Sequence, residues 1–144
     1  MSSHITRSAE FIVPDVYGED PVSAVDWLQK HLAFSDEYFA QLIGVSQEVL
    51  CQWKRGGQGL ESSQVETLKK FSTAMNRLLS FFNFRRDLMM RVLDFEFDNH
   101  EIPRSTFTPP WVGTSLRPYM LRESGRGIDE VDSWVQTMRS ANSP

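Results

Sequence analysis

Between residues 36 and 56 the chain reads DEYFAQLIGVSQEVLCQWKRG, the richest run of candidate chemistry in its 144 residues. If the second half of that run is helical, Gln47, Glu48, Cys51 and Gln52 face away from Val49, Leu50 and Trp53. An amide can bond adenine in a bidentate way, and a carboxylate can accept from the cytosine amino group. Lys54 and Arg55 follow at once, with Lys69 and Lys70 further along. Cations of this kind suit phosphate groups, which position a protein without reporting sequence.

Such side chains work together only on a rigid support. Ser35 is the expected cap of one short helix, with Tyr38, Phe39, Leu42 and Ile43 on its apolar side and Gly44 at its end. Ser46 caps the next, closed by Gly56 and Gly57. Two short helices cross steeply when the contact is small and the turn accepts a left-handed backbone. Ala40 supplies the first condition, Gly44 the second, and Val45 fills the space beneath the turn. These offsets predict a helix-turn-helix.

The pattern of Ala40, Gly44-Val45-Ser46, Leu50 and Trp53-Lys54-Arg55-Gly56 resembles the Xre-type helix-turn-helix family of bacterial and phage regulators, over Val22 to Leu79. The resemblance implies that the helix after Ser46 is a recognition helix for the major groove of double-stranded DNA. Gln47, Glu48, Cys51 and Gln52 are then the base contacts, and Ser46, Lys54, Arg55, Lys69 and Lys70 the phosphate contacts. A homodimer meeting adjacent half-sites goes with this expectation. The stretch 108–135 is similar to the C-terminal module of Xre/ParS-type antitoxins, which contacts a RES-domain toxin. The matching positions are Gly113, Ser115, Leu121, Gly125, Ile128 and Val131, whereas Ser115-Leu116, with proline delayed to Pro118, departs from that family's Ser-Pro pair. A toxin or other protein partner is thereby expected through residues 111–144.

The surrounding elements read as all-α. Asp20 and Pro21 signal a helix start, followed by Val22, Val25, Leu28 and Leu32 at helical steps. Ser63 with Glu66 predicts a capping box opening a long helix, with Val65, Leu68, Phe71, Met75, Leu78, Leu79 and Phe82 on its apolar side. A helical stretch at 85–95 follows, with Asn83 as a candidate break. Thr114 or Ser115 opens a short helix through Leu121, and a last one carries Ile128, Val131, Trp134, Val135 and Met138. The expected organisation is an arm over 1–19, a helix-turn-helix domain over 20–97, a linker over 98–110 and a small C-terminal unit over 111–144. Trp111 and Trp134 suit a core as well as an interface.

Charge bears on the partner. The whole chain is at −4, against what a nucleic-acid binder usually carries, yet residues 38–92 hold eight basic and four acidic groups. The flanks are acidic: two basic and seven acidic groups over 1–37, five and eight over 93–144. The alternative expectation is a protein-interaction module on the same helical scaffold without DNA binding.

Other chemistries find little support. A single cysteine excludes a disulfide within the chain and a thiolate zinc site. The acidic run at 94–101, with His100, matches no ligand-loop spacing, and His4 and His31 stand alone. Gly56-Gly57-Gln58-Gly59 lacks the Lys-Ser/Thr of a phosphate loop. No catalytic signature, metal site or cofactor is expected. No apolar run approaches the roughly 20 residues that span a bilayer, and the first ten residues lack a signal-like apolar stretch, so the expected location is cytoplasmic.

Overall fold

The acid and proline at positions 20 and 21 start the first helix. In the computed structural model, which describes residues 20–96, 109–111, 113–122 and 126–141, Asp20 Oδ1 accepts the Val22 N–H at 3.2 Å. Pro21 occupies the first turn, where a missing N–H costs nothing. The resulting helix α1, Pro21–Leu32, buries Ala24, Val25, Leu28 and Leu32 and ends at Ala33, whose φ of 59° is left-handed. Ser35 then caps α2, Asp36–Ile43, and Ser46 caps α3, Gln47–Gly56, each accepting an N–H three residues on.

The long helix α4, Ser62–Phe81, starts two residues earlier than a cap at Ser63, with its Ser63–Glu66 box, predicts. Its cap is Glu61, whose N–H donates to Gln64 Oε1 at 2.9 Å. A second tie explains the choice: Gln64 Nε2 reaches the Ile43 carbonyl, fastening the start of α4 to the end of α2. Asn83 and Phe84, both at φ 59°, break the chain between α4 and α5, Arg86–Asp94. The short α6, Leu116–Tyr119, and α7, Arg126–Ala141, complete an all-α fold with no strand among the described residues. The expected arm over 1–19 and most of the expected linker lie outside the described residues.

Helix α4 is the spine, packing against α1, α2, α5 and α7. At its middle, Phe71 is fully buried and meets the rings of Phe34, Phe39 and Tyr38 at centroid distances of 5.2, 5.4 and 5.9 Å. Trp111, α6 and α7 share this core. Trp111, Leu116, Tyr119, Met120, Ile128, Val131 and Val135 join one buried cluster with Leu68, Met75 and Leu79. Ion pairs between Lys70 and Asp129 at 2.8 Å and between Arg77 and Asp132 at 2.6 Å flank the contact of α4 with α7. Trp111 is buried in this core, and Trp134 packs against it.

Arg117 fastens α6 to the rest. Its guanidinium bonds both Asp94 oxygens, at 2.9 and 3.3 Å, donates to the Ala33 carbonyl and lies 4.5 Å above the Phe34 ring. Its carbonyl accepts the Tyr38 hydroxyl at 2.6 Å. Burial pushes the Tyr38 phenol above its ordinary value of 10, against an opposing pull from Arg117. Tyr119 is pushed up to about 12 by burial first and then by its bond to Glu130. Both groups hold their protons more tightly folded than unfolded. Stability is therefore fully present below about pH 10 and is lost as pH rises through the folded values. Urea midpoints are expected to fall between pH 9 and pH 11, and Tyr38→Phe should make that decline shallower while costing about 1 kcal/mol at neutral pH. A flat profile would contradict both assignments.

Candidate nucleic-acid interface

Glycine at position 44 permits the approach of α2 and α3. Its φ of +75° is a conformation that other residues enter at a cost, and it lets the Val45 N–H return to the Ala40 carbonyl at 2.9 Å. Ala40 is buried in the core, and Val45 packs against it. Ser46 Oγ accepts the Val49 N–H at 3.2 Å and so fixes the first turn of α3. Leu50 and Trp53 then anchor the helix by its inner side.

The outer side of α3 carries a polar row. Gln47, Cys51 and Arg55 follow one another at four-residue steps, and Glu48 and Gln52 run beside them. Ser46, Gln47, Glu48, Gln52 and Arg55 are exposed. Neither Glu48 nor Arg55 forms an ion pair among the described residues. Cys51 is half-buried, and its thiol points to Asp36 Oδ2 at 3.5 Å.

The four candidate cations divide. Arg55 stands in the α3 row, whereas Lys54 turns inward with its side chain only 19% exposed. Its ammonium donates to Asp36 Oδ1 at 3.0 Å and to Gln29 Oε1, and Asp26 lies 3.8 Å away. Gln29 Nε2 donates to the same Asp36 oxygen at 2.7 Å. The Gln29 amide, followed by Lys54, holds the Asp36 carboxyl below its ordinary value of 3.8. Lys69 pairs with Glu66 and Lys70 with Asp129. Both line a groove of about 240 Å³ between α4 and α7, together with Thr73, Arg77 and Asp132 and with no α3 residue. The structure thus gathers Gln47, Glu48, Gln52 and Arg55 on α3, with Ser46 as its cap, and leaves Lys69 and Lys70 in a different setting.

Gln29 and Asp36 are the residues that local pattern does not reveal. Asp36 looks like an ordinary acid in a first helical turn, and Gln29 like a solvated residue beside Leu28. Their link to Lys54 joins positions 18 and 25 residues apart in the chain. Among the described residues no group of three or more His, Cys, Asp or Glu side chains converges to hold a metal. No described helix is long and apolar enough to cross a membrane. No protein-family model matches the chain, and no curated protein matches it.

Proposed function

We propose that this protein is a sequence-specific DNA-binding regulator that lays α3 in the major groove, with α2, the turn at 44–46 and α3 acting as a helix-turn-helix. The observation that carries this reading is the exposed row of Gln47, Glu48, Gln52 and Arg55 on a helix whose other side is anchored by Leu50 and Trp53. Two amides and a carboxylate can distinguish base pairs by their donors and acceptors, and the guanidinium suits a phosphate. They sit on a helix of 10 residues, and an α-helix fits the major groove.

Salt-dependent binding to duplex is the test. Wild-type protein should select a preferred site from a random duplex pool, and its affinity should fall steeply with salt. Arg55→Ala should weaken binding to all sequences and reduce the slope of log affinity against log salt by about 0.9. Gln47→Ala should instead narrow discrimination between the selected site and its single-base variants by about 1–3 kcal/mol. Absence of duplex binding at low salt would overturn the proposal.

A second reading has one observation in its favour. Lys54, Lys69 and Lys70 each face a carboxylate of this chain, so fewer cations meet an approaching phosphate than the basic centre of the sequence suggests. A protein-interaction module would bind a protein partner at low salt and leave duplex free in the same titration.

A further inference from the structure

Lys54, Asp36 and Gln29 close a ring that joins three helices. Gln29 comes from α1, Asp36 from the first turn of α2 and Lys54 from the last turn of α3. Each member bonds the other two: Gln29 Nε2 to Asp36, Lys54 Nζ to Asp36, and Lys54 Nζ to Gln29. An ammonium has three donors. Two are occupied by these oxygens, and Asp26, 3.8 Å away, draws the charge to the same side. A phosphate oxygen approaching Lys54 would find one N–H left and two carboxylates already beside the ammonium.

Apolar contacts alone hold α3 without direction, because burial of Leu50 and Trp53 rewards area and not a particular rotation of the helix. Hydrogen bonds to a carboxylate and an amide do impose direction. The ring lies toward the C-terminal end of α3, and the Ser46 cap lies at its N-terminal end. The helix is tied at both ends, with the polar row between.

We propose that Lys54 is a positioning residue, not a phosphate contact: it braces α3 against α1 and α2 so that Gln47, Glu48 and Gln52 present a fixed face, and Arg55 is the cation of α3 that meets the DNA backbone. This rests on the reading of α3 as the duplex-binding helix. Through Asp36, whose other oxygen accepts from the Cys51 thiol, the brace also draws Cys51 toward α2.

The test combines duplex titration with a chemical probe that needs no DNA. All chains are compared at a temperature where thermal melts show them fully folded, using the site that wild type selects from a random pool. Lys54→Met should lower affinity for that site by roughly five- to tenfold and narrow its discrimination from single-base variants, with the salt slope unchanged. Lys54→Arg, which can still reach Asp36, should recover most of the discrimination. In reductive methylation of the wild-type protein, Lys54 should react at least several-fold more slowly than exposed Lys30, and Asp36→Asn should abolish the difference. A slope that falls by about 0.9 in Lys54→Met, as for Arg55→Ala, would make Lys54 a phosphate contact and overturn the proposal. Unchanged discrimination, or equal methylation of Lys54 and Lys30, would overturn it too. Failure of wild type to select any duplex overturns the functional reading itself, so the two failures are told apart.

Discussion

Phe71→Ala is expected to cost about 3–5 kcal/mol, a large share of the stability of a domain this size. The side chain is fully buried in the middle of α4, with Phe34, Tyr38 and Phe39 around it and two of the three contacts edge-on at 83° and 85°. Edge-to-face rings add about 0.5–1.5 kcal/mol beyond their burial, and truncation loses this as well as leaving a void. Phe34 and Tyr38 also touch Arg117, so the void loosens the attachment of α6. Urea denaturation followed by tryptophan fluorescence reads the effect. Phe71→Leu, which keeps most of the volume, should cost less than half as much. A loss under about 1 kcal/mol in the alanine variant would mean that this aromatic cluster is not the centre of the core.

Gly127→Ala should destabilise by about 1–3 kcal/mol, although alanine is the better helix former by about 1 kcal/mol. The two effects oppose each other, and the surroundings decide the sign. A Cβ at position 127 would run into the Tyr119 carbonyl oxygen and stand 3.1 Å from Met120 Cα. These are backbone atoms of α6 and its end, which cannot swing aside as a side-chain tip would. The first turn of α7 must therefore lift from α6, taking Ile128 out of contact. The urea midpoint should fall, and cleavage by an added protease around residues 120–128 should accelerate. A midpoint equal to or above wild type would show that α7 does not approach α6 so closely.

Local signals in the sequence carried a good part of the helical layout. Asp20, Ser35 and Ser46 cap helices because each side-chain oxygen meets an N–H two or three residues away, a relation that short-range pattern contains. Gly44 likewise needs only its own backbone angle. The start of α4 lies two residues before the one local pattern predicts because Ser63–Glu66 and Glu61–Gln64 are locally similar, and the bond from Gln64 to Ile43 selects between them. The expected unit over 111–144 follows from the prolines and acids that precede it. Its apolar stripe does not reveal that α4 is the surface it covers. The outward row of α3 followed from helical spacing, whereas the inward turn of Lys54 depends on Gln29 and Asp36, which only tertiary packing brings near. The close approach of Gly127 to α6 leaves no mark in the residues beside it.

The clasp at Arg117 also governs the order in which the molecule can be finished. As the chain leaves the ribosome, α1 to α5 emerge first, and the Tyr38 hydroxyl and Ala33 carbonyl then lack the partner that residue 117 supplies. The side of α4 that Ile128, Val131 and Val135 will cover is still open to water at that stage. The corner from which α2 springs is therefore completed from the far end of the chain, although every residue of the α3 row was made long before. Cutting at 110 to isolate a recognition fragment would reproduce that half-built state, with an uncovered apolar stripe prone to association.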